Sequence, residues 1–458
     1  MADRWVKQGL TPGLGPYVDW HLGPGEPYYR VPPGDLGDWS PIIVQLAATA
    51  REEIVKRANK RARELGYRVP VIMEPELRGP ATVGYAVLLA KDEFFKALAH
   101  KGSGDLRKAI PRVVLGRSLA KGTRVDKPSL AAPKLKAVPP DKRTVVVGVI
   151  DDSIAFAQER FRNAAGKTRV EYAWVQGGLA AGGKGGRVDY GRDYSKSEID
   201  RLLAKATFAG GIDEDEFYRL AGMADFSRPG QGSVAHRAAH GTHVMDLACG
   251  EDPRSVPEGD DERPIVSVQL PSLASADTSG ASLEPYVLHA IDYILDRADR
   301  IAQARGCGRL PVVINFSYGF IAGPHNGTSV IEAAIDAIVK QRCAAGQDLR
   351  VVLPAGNSNL TRCHALVGFD RKGATQEVRW QVQPDDKTSS FVEIWLPERL
   401  PGEEASRLSI TVTPPGGPES PPLEEVSGAG FAFKRGGDTV CKVVYREEPA
   451  PAPPGRPP

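Results

Sequence analysis

Apolar positions along the chain follow two periods. Nearly unbroken aliphatic runs occur at 145–150, 265–270, 312–315 and 351–353, the pattern of strands buried on both faces of a parallel sheet. Each ends abruptly in polar or turn residues: Asp151-Asp152 after the first, Ser317-Tyr318-Gly319 after the third, Pro354-Ala355-Gly356-Asn357 after the fourth. Between them the apolar residues return at helical spacing. A helix is predicted to follow His240-Gly241-Thr242-His243, another to span 286–300, and a third to start at Val330 with Ile331, Ala334, Ile335, Ile338 and Val339 on one face. Ser329 with Glu332 three residues on reads as the N-terminal cap of that third helix. Two short helices are predicted at 198–206, behind a Ser197 cap, and at 214–221.

The flanks have patterns of their own. Residues 40–116 predict strands at 41–46, 67–74, 82–89 and 111–115 and helices at 51–65 and 92–99, a small α+β domain of β-α-β-β-α-β order. Residues 373–446 alternate apolar and polar at 378–382, 392–396 and 408–412, with further strands at 431–433 and 440–445, predicting an antiparallel β-module. Three stretches carry no period: a Gly/Pro-rich segment at 1–39, a basic, Pro-containing linker at 117–143 that offers a processing site, and a Pro-rich tail at 447–458 that reads as disordered. The core domain is thus bounded at 144–372, and its Gly-rich stretch at 177–186 reads as a flexible insertion.

Composition narrows the function classes. Lysine and arginine (59) balance aspartate and glutamate (57), so no nucleic-acid partner is implied. Five cysteines in 458 residues do not make a disulfide framework. The N-terminus has no apolar signal region and no run reaches membrane-spanning length, so a cytoplasmic protein without a membrane partner is expected.

Three residues at strand or helix ends carry candidate chemistry. Asp151, at the carboxyl end of a predicted parallel strand, stands where active groups collect in open α/β sheets and can orient a histidine; it or its neighbours could equally cap a following helix. His240 sits at a Gly-flanked helix start and can move a proton near neutral pH. His236, His240 and His243 could instead bind a metal, but a zinc hydrolase of the HExxH kind needs a glutamate where Arg237 stands, and no metal is assigned. Asn357 displays an amide that can donate to a developing oxyanion, or that merely satisfies its turn.

Taken together, Val149-Ile-Asp-Asp-Ser153, His240-Gly-Thr-His-Val244, Val313-Ile-Asn-Phe-Ser-Tyr-Gly319 and Pro354-Ala-Gly-Asn-Ser358 resemble the motifs of subtilisin-like serine peptidases, in the family's order over about 144–370. The resemblance implies an α/β, subtilisin-like three-layer domain with a parallel sheet, preceded by a propeptide-like α+β domain that assists folding and blocks the cleft. It makes Asp151 the orienting carboxylate, His240 the general base and Asn357 the oxyanion donor. It makes Ser279 and Gly280 a substrate-pairing edge and Ser317, Tyr318 and Gly319 the wall of the main specificity pocket. Ca2+ enters only through the resemblance, and no other cofactor is read. Two positions depart from the family: Ser153 stands where glycine is frequent, and no G-T-S motif follows Asn357. Gly327-Thr328-Ser329 precedes it, where the family starts a different helix. Three readings stay open: a serine endopeptidase, truncated or split so that a segment past 458 or a partner chain supplies the serine; an inactive peptidase-like module binding extended peptides; and a serine within the chain used by an unexpected route.

Overall fold

The computed structural model describes residues 3–22, 36–47, 65–70, 84–100, 102, 104–125, 130–136, 138–139, 143–178, 187–224, 239–258, 262–275, 282–384, 389–396 and 407–447. The chain begins with strand β1 (Arg4–Lys7) and helix α1 (Pro16–His21). Strands β2 (Ser40–Gln45), β3 (Tyr67–Arg68) and β4 (Tyr85–Ala90), helices α2 (Asp92–Ala99) and α3 (Gly104–Ala109), and strand β5 (Arg112–Leu115) follow. The four strands β2–β5 form an antiparallel sheet of order β3-β4-β2-β5. Phe94, Phe95 and Leu98 of α2 are buried in its core, as their helical spacing predicts. The helix expected at 51–65 falls almost wholly outside the described residues.

The central domain contains β6 (Val146–Asp151), β7 (Val170–Val175), β8 (Arg192–Ser195), α4 (Lys196–Lys205), the short pair β9 (Thr207–Phe208) and β10 (Gly211–Ile212), and α5 (Glu214–Leu220). It continues through α6 (His240–Cys249), β11 (Ile265–Gln269), α7 (Ser272–Ser275), α8 (Glu284–Arg305), β12 (Val312–Phe316), α9 (Val330–Ala344) and β13 (Leu349–Val352). Six strands make one sheet of order β13-β12-β6-β11-β7-β8, in which only β8 is antiparallel. The period-two rule sorts β6 between two cores. Val146 and Ile150 join α8, α9 and the N-terminal sheet on one face; Val149 joins α4, α5 and α6 on the other. This is a mixed α/β fold of three layers.

Cover on the second face stops short. In β12 the residues facing α8, Val312, Ile314 and Phe316, are buried, whereas Val313 and Asn315 are only half-buried. Their register partners in β13, Arg350 and Val352, are exposed, and β13 is the edge of the sheet. Beyond it, residues 353–384 and 389–396 form no strand, leaving Val378, Trp380, Val382, Val392 and Ile394 exposed.

The C-terminal module therefore departs from the expected set of strands. Among the described residues of the module only the hairpin β14 (Gly430–Arg435) and β15 (Asp438–Val444) is regular, with one further bridge between Ile410 and Leu423. Alternation at 378–396 specifies a strand with one apolar face, and a strand exists only where a neighbour takes its backbone hydrogen bonds. Among the described residues none does. Instead β14 pairs with β1, so the segment expected as an N-terminal loop closes a three-stranded sheet. Lys442 pairs with Asp19, and the Trp5 ring lies tilted against Phe433.

Residues 117–143 likewise differ from a free linker. Arg117 N–H donates to Ser282 O and Tyr286 Oη donates to Arg117 O, at the start of α8. Arg300 donates to Ala131 O, and Lys134 N–H donates to Gln303 Oε1, near the helix end. The described parts of this segment are strapped along α8, with Leu119 buried in the common core. The short helix expected behind Ser197 is capped two residues earlier: Ser195 and Glu198 form its capping box.

Candidate active site

The site forms where the parallel strands end. Asp151 is the last residue of β6, level in register with Gln269 of β11. Its carboxylate Oδ1 accepts from Asp152 N–H at 2.8 Å and lies 2.8 Å from His240 Nδ1. Asp151 is buried, whereas 60% of the His240 side chain is exposed, so the ring is held at its inner nitrogen and open at its outer edge. Burial pushes the Asp151 carboxyl up to about 6, against the bonds from His240 and Asp152. The bond to Asp151 in turn holds His240 above its ordinary value. The bond to the Asp151 carboxylate holds a proton at Nδ1, which leaves Nε2, on the exposed edge of the ring, free to accept one.

Why the helix reaches the strand end is local. Gly241 N–H donates to Asp152 O at 3.0 Å. A Cβ at 241 would collide with that carbonyl oxygen and stand 2.8 Å from both Asp151 Cβ and Ile154 Cγ1. Thr242 Oγ1 donates to Ser153 O and accepts from Ala155 N–H, both at 2.8 Å. Gln269 Oε1 accepts from Ile154 N–H at 3.0 Å. The loop after Asp151 is thus tied to α6 and to β11. Thr242 and Gln269 were not singled out from sequence; the threonine between Gly241 and His243 was the available signal. At the far end of α6 the buried Arg169 donates to Cys249 O at 2.9 Å, a cation at the negative end of the helix.

Ser153 has φ +50, in the left-handed region that favours glycine. Ser153→Gly is therefore expected to relieve about 1 kcal/mol of backbone strain, partly offset by the added freedom of the unfolded chain. Urea denaturation should find the variant as stable as the wild type or slightly more so; a loss above 1 kcal/mol would show that the Ser153 side chain matters more than its backbone.

Asn357 follows β13, two strands from Asp151 on the same edge of the sheet, and starts a short 3-10 turn (Ser358–Leu360) that its side chain does not cap. Gly356 and Gly319 approach closely: a Cβ on Gly319 would lie 3.7 Å from Gly356 Cα. The Ser317-Tyr318-Gly319 segment and the turn before Asn357 are therefore neighbours. Ser317 Oγ accepts from Asn315 Nδ2 at 2.9 Å, and Tyr318 Oη donates to Ser275 O at 3.3 Å. Ser279, Gly280 and His236 lie outside the described residues. His243 is exposed on the same helix face as His240, one turn on, and Leu247, a further turn on, is 90% exposed.

Ser329 caps α9: its Oγ accepts from Glu332 N–H at 3.3 Å and Glu332 Oε2 accepts from Ser329 N–H at 3.0 Å. One donor atom from each of Asp151, Asp152 and His240 lies within 4.8 Å of the others, the metal-capable cluster found among the described residues. Among those residues no helix is long and apolar enough to cross a membrane.

No protein-family model matches the sequence. No curated protein matches it either. Among solved structures, the Clostridium perfringens CspB protease is similar at a TM-score of 0.32 and 22% identity, over 47% of this chain. This chain spans 36% of that protease's length, and so slight a likeness carries no argument about function.

Proposed function

We propose that this chain is the aspartate–histidine part of a serine endopeptidase of the subtilisin type, whose nucleophile comes from a segment past residue 458 or from a partner chain. The observation that carries the reading is the 2.8 Å bond between Asp151 and His240 Nδ1, with the outer ring nitrogen open at the carboxyl edge of a parallel sheet. His240 takes the proton of an incoming serine hydroxyl, which attacks the peptide carbonyl. Asn357 donates to the oxyanion, and His240 then protonates the leaving amine before water completes hydrolysis. Ser317, Tyr318 and Gly319 wall the pocket for the substrate side chain, and Ser279 and Gly280 pair with its backbone. The strained backbone at Ser153, two residues past Asp151, and an Asn357 side chain that does not cap its own turn support this use of the edge.

Among the described residues the thin cover lies beside His240. His240 and Leu247 share one exposed face of α6, and on the α6 side of the sheet Val313 and Asn315 are only half-buried and Val352 is exposed. An apolar surface of this kind fits a further helix and strand seated beside His240. Cys307, Cys343, Cys363 and Cys441, which form no disulfide, fit a reducing, cytoplasmic setting.

The test is fluorophosphonate labelling read by intact mass. The 458-residue chain alone is expected to stay unlabelled. Supplied with a serine-bearing partner segment it should gain one adduct, and His240→Ala should abolish both adduct and peptide hydrolysis. A labelled serine in the chain alone, mapped by peptide sequencing, would overturn the split reading. A second reading, an inactive module that binds extended peptides by strand addition, is favoured by the open edge of β13. It requires peptide binding that survives His240→Ala with no adduct under any condition.

A further inference from the structure

The Asp151 carboxylate is only half used. Oδ1 serves His240 and Asp152 N–H; Oδ2 is buried and has no hydrogen-bond partner among the described residues, although 95% of the side chain is removed from solvent. A buried carboxylate oxygen without a donor is costly, and native sites usually satisfy it. Among the described residues no lysine or arginine compensates it: the charges that act on Asp151 are those of His240 and Asp152, and Asp152 adds a second negative charge. The site therefore has an excess of anionic oxygen: one donor atom each from Asp151, Asp152 and His240 lies within 4.8 Å of the others, and Asp151 carries an orphaned acceptor besides.

We propose that Asp151, Asp152 and His240 together bind a borderline transition-metal ion, represented by Zn2+, and that its binding switches the catalytic pair off. One imidazole nitrogen with two carboxylate oxygens is a donor set that Zn2+ accepts, water completing the coordination. Zn–N and Zn–O bonds of about 2.0–2.2 Å put tetrahedral donors roughly 3.3–3.6 Å apart, so the cluster has to contract by about 1 Å. The less buried partners have room to do this: His240 is mostly exposed and Asp152 is half-buried, while Asp151 is buried at its strand end. Coordination through Nδ1 sends the proton on that nitrogen to solvent and exchanges one hydrogen bond for metal bonds, which also engage the orphaned oxygen. The ring can then no longer serve as a base held by Asp151. The site differs from the three-histidine set His236, His240 and His243, since its other two donors are carboxylates.

The switching rests on the proposed peptidase reading; the binding does not, and it is measured separately. Titration calorimetry of the whole chain with ZnCl2 should give one equivalent bound. Asp152→Asn should weaken it about tenfold or more. His243→Gln and a Cys343→Ser/Cys363→Ser double variant, which removes the exposed thiols, should leave it unchanged. Co2+ in place of Zn2+ should give ligand-field bands without the charge-transfer absorption of a thiolate. Asp152→Ser serves as a second variant, and urea curves of the metal-free variants establish that each is folded. No binding, binding that survives both Asp152 variants, or binding lost with His243 or the thiols overturns the proposal. None of those results bears on fluorophosphonate labelling, which tests the peptidase reading independently.

Discussion

Gly241→Ala is expected to cost about 3 kcal/mol or more of stability and to break the Asp151–His240 pair. The cause is backbone proximity. The added methyl meets the Asp152 carbonyl oxygen, Asp151 Cβ and the Ile154 side chain, none of which is the far end of a flexible chain. Relief requires α6 to withdraw from the end of β6. That stretches the Gly241 N–H bond to Asp152 O and both bonds of Thr242, and it carries His240 away from Asp151. Two measurements check it. Urea denaturation gives the loss of stability, and nitrogen NMR of His240 shows whether Nδ1 keeps its bonded proton. An alanine variant with wild-type stability and an unchanged Nδ1 signal would show that the close approach is not what aligns the pair.

The second large effect is acid lability centred on His289. This residue is fully buried on α8, edge-on to Trp174 and beside Tyr190; its Nδ1 lies 3.3 Å from Tyr190 Oη and its Nε2 has no partner among the described residues. Burial pushes its pKa down to about 3. The sign follows directly. Below about 6.5 the unfolded chain takes up a proton on this ring while the folded chain does not, so folding loses stability as pH falls, by about 1.4 kcal/mol per unit until pH approaches 3. Asp151 acts in the opposite sense: its raised folded value makes the native state the better proton binder between about 6 and 4. The comparison that isolates His289 is therefore His289→Phe against wild type. Losing the Tyr190 contact shifts the whole phenylalanine curve by a constant, whereas the slope difference belongs to the histidine. Stability of the two proteins, followed by urea denaturation from pH 7 to 4, should diverge at that slope. Parallel curves would mean that the buried ring finds a partner when protonated.

Taken by itself, the sequence determined the parts of this protein that depend on local pattern. The aliphatic runs at 145–150 and 312–315 are strands because such residues specify burial on two faces, whatever lies on either side. The helix Asp92–Ala99 has the extent its apolar spacing predicts, and Ser329 with Glu332 is the cap that three-residue spacing allows. The motif residues 151, 240 and 357 were legible as candidates because each follows a strand or opens a helix. What required tertiary structure was every feature that depends on a partner remote in sequence. The alternation at 378–396 reads as β, yet a strand needs a neighbour, and the described fold supplies none. The described residues Arg117, Leu119, Ala131 and Lys134 carry no period because their backbone groups bond to the start of α8, to Trp39 and to side chains of α8, all remote in sequence. The choice of Ser195 over Ser197 as a cap was set by where β8 delivers the chain to Glu198. The uncovered face beside His240 is likewise invisible in a linear pattern, since exposure is defined by what packs against a residue. Above all, the contact between Asp151 and His240 spans 89 positions. It exists because a parallel sheet brings strand ends to one edge and because Gly241 lets a helix touch that edge.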